Sequence, residues 1–327
     1  MASGSAVAPF GATPASVFDV ACRLAESGGF LPAEITEAAR AVAAEVGASP
    51  PDQIRHALET LITAPHADDG LQWLHQAGLL QEVLPELEAT VNLSQEAGRR
   101  HKDVWEHTKQ VVMQSPAQPI ARWAALLHDI GKVDTRVMLP DGKVTFHRHA
   151  EVGARQFDAL ARRLNFSRTD RKRIRFLIVN HLRANAYEPE WTDAAVRRFD
   201  HEMVDALPEL VELSRADVTS ARPGRRQEAA RNIEALLQRI AVVRELDARI
   251  PPLPPGVGNA IMEAFGIPPS RRVGELRKLC EDAIEREELL ERQPVEYYVD
   301  FLKRQGIPGD KPAGEQPGPP VGDSKIE

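Results

Sequence analysis

The stretch Leu126-Leu127-His128-Asp129-Ile130-Gly131-Lys132, "LLHDIGK", ends the apolar run Trp123 to Leu127 with an imidazole and a carboxylate side by side. Burying either group without a partner costs several kcal/mol, and an unpaired carboxylate costs far more. Two readings are open. Either the pair sits at a wet helix end and does little, or something buried and cationic meets it there. Adjacent helical residues diverge by about 100°. Both side chains can therefore hold one ion only where the helix ends between their directions, and Gly131 predicts such an end.

Other polar residues also fall where apolar ones are expected. In "DVWEHTKQVV", Val104, His107 or Thr108, and Val111 share one helix face by spacing, which turns His107 inward. In "IRFLIVNHLR", His181 joins the face of Ile174, Leu177 and Ile178. In "LPELVELSRADVTS", Asp217 follows Leu210 and Leu213 on one face. His149 opens the helical pattern "HAEVGARQFDALARRL" and faces with Val152 and Phe157. Any one inward histidine is ordinarily a core residue bonded to a backbone carbonyl. An inward Asp is harder to dismiss, because carboxylates are almost never fully buried unless paired. Taken together, His107, His128, Asp129, His149, His181 and Asp217 suit one or two divalent metal ions. Imidazoles serve as ligands, and carboxylates add charge balance and bridging. Such a donor set does not separate Mn, Fe, Co, Ni, Mg and Zn.

The remaining sequence bounds the setting. The chain has 327 residues, 43% hydrophobic and 27% charged, which is ordinary for a soluble globular protein. A net charge of −7 excludes a generally basic nucleic-acid-coating surface. Two cysteines, Cys22 and Cys280, with no CxxC, exclude a disulfide framework and a thiolate zinc cluster and fit a reducing cytosol. No basic residue precedes Arg23, so no signal peptide is expected. No segment approaches the roughly 18 apolar residues of a membrane span. A soluble, cytoplasmic protein with no membrane partner is expected; oligomeric state is left open.

Nearly every segment carries helical periodicity, punctuated by Gly and Pro. The exception is "VMLPDGKVTF", residues 137–146, where Pro-Asp-Gly between β-prone runs predicts one small hairpin. The clearest linker is "PPLPPG" at 251–256, and the tail from Gly306 holds ten Pro and Gly in 22 residues. The expectation is an all-α chain: a disordered arm over 1–15, a helical segment over 16–95, the metal-binding part over 96–250, a helical segment over 251–304, and a disordered tail over 305–327.

The order His107, His128-Asp129, Asp217, with "HDIGK" around the middle pair, resembles the HD superfamily of metal-dependent phosphohydrolases. The resemblance implies an HD-domain helical bundle with those four residues as the ligand core. His149 and His181 fall where two-metal members carry further ligands. "HKDVWEHT", "RWAALLHDIGK", "HAEVGAR" and "ADVTS", with their flanks over about 52–290, are similar to the HD region of bacterial tRNA nucleotidyltransferases and poly(A) polymerases. A nucleotidyltransferase head needs Gly-Ser followed by Asp-x-Asp for its metals. This sequence has Gly-Ser only at Gly4-Ser5 and no Asp-x-Asp. Nucleotide addition by this chain is therefore not expected. "HAE" at 149–151 also departs from relatives with a second polar residue beside the histidine.

What the resemblance implies is phosphoester hydrolysis on a nucleotide, a cyclic phosphate or an RNA 3′ end. Asp129 is then the natural bridging ligand and a catalytic residue, and Lys132 a catalytic residue that also holds a substrate phosphate as a point charge. Arg183 and Arg222 are further candidates for substrate binding. Residues 162–175 hold seven Arg or Lys and one Asp, read as a solvated face rather than a phosphate track. Two other functions stay open: an RNA- or tRNA-binding module with a structural metal, and a redox member of the superfamily with a mixed di-iron site.

Overall fold

The computed structural model describes residues 13–94, 103–203, 205–219, 224–249 and 251–306. Among them the fold is helical, with one two-stranded sheet. The arm up to residue 12, the tail from 307 and Arg222 lie outside the described residues. The chain forms two compact units. The first takes residues up to 189 together with 203–237, and the second takes 190–202 and the residues from 238 onward.

In the first unit, α1 (Pro14–Ser27), α2 (Ala33–Ala41), α3 (Ala43–Gly47), α4 (Pro51–Thr63), α5 (Ala67–Gln76), α6 (Leu79–Val83) and α7 (Pro85–Glu88) come first. The next elements are α8 (Val104–Gln114), α9 (Pro119–Leu127), α10 (Lys132–Thr135), β1 (Arg136–Met138), β2 (Val144–Phe146), α11 (His149–Arg163) and α12 (Arg168–Asn180). Helix α13 (Asp193–Met203) belongs almost wholly to the second unit, α14 (Leu207–Ala216) to the first, and α15 (Arg225–Arg249) runs through both. Helices α16 (Val257–Phe265), α17 (Arg271–Glu285) and α18 (Val295–Arg304) complete the second.

Local chemistry sets several of these boundaries. Thr13 and Ser16 form a reciprocal capping box at the start of α1, and Gly28 takes φ 69° at its end. The Asp103 carboxylate accepts from the amides of Trp105 and Glu106, which fixes the first turn of α8. Ser167 does the same for α12. The hairpin falls where Pro-Asp-Gly calls for it, antiparallel with Val137 opposite Thr145, and Gly142 takes φ 81° in its turn.

Helix α9 is the axis of the first unit, packed by α4, α8, α12 and α14. Every residue from Ala121 to Leu127 is buried. A helix that is apolar on all sides is stable only when covered on all sides, and burying Leu126 and Leu127 contributes about 1.5–3 kcal/mol each. Arg122 is the polar exception, and its guanidinium donates to the carbonyls of Ile62 at 3.1 Å and Pro116 at 3.2 Å. Edge-to-face rings of Trp123 and Phe166, centroids 5.1 Å apart, continue the core toward Phe157.

The second unit packs Leu253, Val257, Ile261, Phe265, Leu276, Cys280 and Ile284 around Tyr298. The Tyr298 hydroxyl is satisfied by donating to Leu290 O and accepting from the Gln293 amide. Arg197 forks onto Asp247 at 2.6 and 2.7 Å and meets Glu291 at 2.5 Å. These are contacts within the unit that brings residues 190–202 to the C-terminal helices.

Candidate metal centre

Helix ends, rather than helix faces, build the centre. His128 is the C-cap of α9, His181 the C-cap of α12 and Asp217 the C-cap of α14, while His149 is the first residue of α11. His107 stands in the first turn and a half of α8. Three helix C-termini therefore point their partial negative charge at one place, which favours a cation there. Gly131 does not end α9 as expected. The helix stops at Leu127, residues 128–131 continue in turns, and Gly131 keeps an ordinary helical φ of −67°. Its missing side chain serves a close approach: a Cβ there would collide with the His149 carbonyl oxygen and the Gly153 amide nitrogen, and meet Gly153 Cα at 3.0 Å. That backbone contact sets the start of α11, and so His149, against the turn that carries Asp129.

All six residues converge. His107 Nε2 lies 3.2 Å from His128 Nε2 and 3.0 Å from Asp217 Oδ1, and Asp129 Oδ2 lies 3.2 Å from His128 Nε2. Asp129 turns its other oxygen to a second set, with Oδ1 3.4 Å from His149 Nε2 and 3.9 Å from His181 Nε2. His149 Nε2 and His181 Nε2 are 3.3 Å apart. Two groups thus have ligand atoms close enough for one ion each: His107, His128 and Asp129, and Asp129, His149 and His181. Asp129 belongs to both, one oxygen to each. His128, Asp129 and His181 are 2% exposed or less.

The Nδ1 atoms fix the ring orientations. His128 Nδ1 donates to Ala125 O at 2.7 Å, His149 Nδ1 to Phe146 O at 2.9 Å, and His181 Nδ1 to Ile178 O at 2.8 Å. A carbonyl only accepts, so each Nδ1 carries a proton and each Nε2 is turned to the centre, the orientation of metal-binding histidines. His107 Nδ1 meets the Thr219 hydroxyl at 2.8 Å. Ser214, fully buried, donates to His181 O at 3.2 Å. Neither Thr219 nor Ser214 stands out in the sequence reading. A hydroxyl two residues past Asp217 was the only signal for Thr219.

Charge is unevenly divided between the two halves. Burial opposes charging His128, but the carboxylates of Asp129 and Asp217 outweigh it and push it up to about 10. Burial and the His128 charge push His181 down to about 4, and burial lowers His149. Asp129 is held well below the usual carboxylate range, as its burial is outweighed by His128, Lys132 and His107. Asp217 is lowered against its burial by His107 and His128. Near neutral pH, His149 and His181 are therefore both neutral, and their Nε2 lone pairs face each other at 3.3 Å with no proton between. Two ligands about 2.1 Å from one ion, at 90–110° to each other, stand about 3.0–3.4 Å apart. The donor set fits a divalent ion in both halves.

A pH dependence of stability follows for chelator-treated protein. His128, raised from 6.5 to about 10, contributes stability below pH about 6.5 that is lost as pH rises toward 10. His181, lowered to about 4, and the depressed carboxylates contribute stability at neutral pH that is lost on acidification. The melting temperature of metal-free protein is expected to peak near neutrality and to fall below pH 6 and above pH 8. Calorimetry from pH 4 to 10 checks this, and a flat profile contradicts it.

The cations near the centre are mostly committed. Lys132, expected at an exposed helix end or on a phosphate, is 12% exposed with Nζ 2.6 Å from Asp129 Oδ2 and 5.4 Å from the Phe146 ring centre. Arg183 Nη1 lies 3.5 Å from Asn180 Oδ1. In the 162–175 run, Arg163 pairs with Glu86, Arg171 and Arg175 with Asp158, and Arg173 with Glu209, while Arg162, Arg168 and Lys172 are exposed. Arg148, the N-cap of α11 beside His149, is exposed and takes φ 60° and ψ 28°. A left-handed non-glycine residue costs roughly 1–2 kcal/mol.

Comparison with known proteins identifies the family. The HD domain family model matches residues 55–222, and the chain belongs to that family. The chain is also homologous to tRNA nucleotidyltransferases. It is 36% identical over 239 residues to the A-adding tRNA nucleotidyltransferase of Deinococcus radiodurans, covering 70% of this chain and 54% of that protein. It is 35% identical over 273 residues to the CC-adding tRNA nucleotidyltransferase of Thermus thermophilus, covering 80% of this chain and 60% of that one. A shorter match, 34% over 96 residues, joins it to the Multifunctional CCA protein of Pseudomonas paraeruginosa, covering 28% of this chain and 23% of that protein. The chain spans little more than half the length of the first two relatives. No described helix is long and apolar enough to cross a membrane.

Proposed function

We propose that the chain is a metal-dependent phosphohydrolase, a phosphodiesterase or phosphatase acting on a nucleotide, a cyclic phosphate or an RNA end. The observation that carries this reading is the pair His149 and His181, whose Nδ1 atoms bond carbonyls and whose Nε2 atoms stand 3.3 Å apart beside a carboxylate that also faces His107 and His128. Lone pairs at that distance repel unless a cation lies between them. His107, His128, Asp217 and Asp129 Oδ2 would hold one divalent ion, and His149, His181 and Asp129 Oδ1 a second.

Such an ion supplies a bound water acidic enough to give hydroxide near neutral pH, and positive charge for the phosphoryl oxygens. The protein's own groups do the rest. The Nδ1–H bonds to Ala125, Phe146 and Ile178 hold three Nε2 atoms inward before any substrate arrives. Asp129, facing both halves, would orient a water for attack, Asp217 would complete the half formed with His107 and His128, and the burial of His128, Asp129 and His181 limits bulk water there. Lys132, at the edge of the cage, serves a phosphate oxygen as a point charge. The tRNA-related names of the relatives favour an RNA end among the possible substrates.

The test is metal-loaded protein assayed on nucleoside monophosphates, 2′,3′-cyclic nucleotides and RNA ends. Divalent-dependent phosphate release or ring opening is expected, lost in His128→Ala. Full metal occupancy without turnover on any of them contradicts the reading. The same relatives support a second reading, an RNA-binding module with a structural metal. It requires salt-dependent RNA binding that survives His128→Ala, and absence of binding at low salt removes it.

A further inference from the structure

Four basic residues lie within two positions of the six converging side chains: Lys109, Arg148, Arg183 and Arg215. Lys109 meets Gln72 and Glu106, Arg183 meets Asn180, and Arg215 meets Glu212 and Glu234. Among the described residues, the Arg148 side chain makes no hydrogen bond or ion pair. In the first unit the other non-glycine residues at positive φ are Asn92 and Asn165, a residue type that takes this conformation readily. Arginine takes it less readily, although Arg292 and Glu287 of the second unit do so at φ 54° and 62°, and glycine at 148 would relax the turn. Among the described residues nothing engages this strained, exposed guanidinium beside His149, a placement that suits contact with a ligand.

We propose that Arg148 binds a non-scissile phosphate of a single-stranded RNA end whose terminal phosphate enters the cage. This rests on the phosphohydrolase reading and names its substrate class. The floor of the cage is buried, with His128, Asp129 and His181 2% exposed or less, while the His107, His149 and Asp217 side chains keep 11–17% exposure, so a terminal phosphate reaches it from the surface and the rest of a strand stays outside. His149 is 8% exposed while Arg148 stands in solvent, so its head group meets the part of the substrate that remains outside. The next anionic group along an RNA strand is the neighbouring phosphodiester, and a guanidinium matches it in two parallel hydrogen bonds. A mononucleotide has no such group.

The experiment uses the full chain loaded with Mn²⁺ and two probes, an RNA hexamer ending in a 3′-phosphate and 3′-AMP. Arg148→Gly is expected to weaken hexamer binding roughly tenfold and to leave 3′-AMP binding within about twofold. It should lower the slope of log affinity against log salt by about 0.7, with a melting temperature equal to or above the parent's. Arg148→Lys should recover part of the affinity and the slope. Unchanged hexamer affinity, or equal loss on both probes, overturns the assignment. Parent protein that does not bind the hexamer overturns it as well, whatever its activity. Parent protein that binds the hexamer with the Arg148 dependence, yet hydrolyses no phosphoester, sinks the phosphohydrolase reading and leaves only the Arg148–phosphodiester contact of the RNA-binding reading.

Discussion

Asp129→Ala is expected to abolish divalent-dependent phosphoester hydrolysis, by about 10³-fold or more, which corresponds to about 4 kcal/mol of transition-state stabilisation. Among the described residues no other belongs to both halves of the cage, since Oδ2 faces His107 and His128 and Oδ1 faces His149 and His181. The same change leaves the buried His128 imidazolium and the Lys132 ammonium without their shared carboxylate. Removing one partner of a buried pair costs about 3–5 kcal/mol, so metal-free Asp129→Ala should also melt well below the parent. Asp129→Asn keeps the shape and removes the charge. It should lose activity as fully while losing less stability. Retention of more than about a tenth of the parent's activity in either variant would show that Asp129 is not the bridge.

Gly131→Ala is the second large effect, and it reaches the centre through the backbone. The atoms a methyl group would strike, the His149 carbonyl oxygen and the Gly153 amide nitrogen, are main-chain atoms with no rotamer to retreat into. Overpacking of this kind costs about 3 kcal/mol or more, a fall of roughly 6–12 °C in melting temperature for a unit of this size. Whatever relaxation occurs must move the start of α11, so His149 and the second half of the cage should be lost first. Gly153→Ala is the control. Its Cβ would stand 3.2 Å from Gly131 N and 3.6 Å from Ile130 Cγ1, a tight fit with one yielding neighbour. A loss of about 1 kcal/mol with metal binding retained is expected there. Calorimetry and metal titration on the two variants separate the outcomes, and a Gly131→Ala protein that melts and binds metal like the parent contradicts the close approach.

The helical class was legible because the apolar spacing repeats along the chain, and the hairpin because Pro-Asp-Gly allows few other conformations. The centre was legible in residue type, since two carboxylates and four imidazoles on otherwise apolar patterns call for a common partner. Its construction was less so. Periodicity places a residue on a face, but His128, His181 and Asp217 act from helix C-caps, where the direction of a side chain depends on how the chain leaves the helix. Gly131 had two possible uses, a helix stop or a close approach, and sequence spacing does not distinguish them. Lys132 was invisible as the ion-pair partner of Asp129, because the pair spans the turn after α9 rather than a regular helix. Thr219 and Ser214 act on atoms far away in sequence, His107 and His181. The basic run at 162–175 had to await its partners, Glu86, Asp158 and Glu209, all distant in sequence or on another turn. In the hydrolytic reading the groups around Asp129 act together: four imidazoles offer ligand atoms, Lys132 a charge and Gly131 the backbone approach that seats His149.

The most direct test of that reading is the metal content of the purified protein after reconstitution with Mn²⁺ or Zn²⁺ and removal of excess ion. Two bound ions per chain are expected, falling to none in Asp129→Ala and to one in His149→Ala. A ratio near zero in the parent, or a ratio of two that persists in Asp129→Ala, would contradict the account.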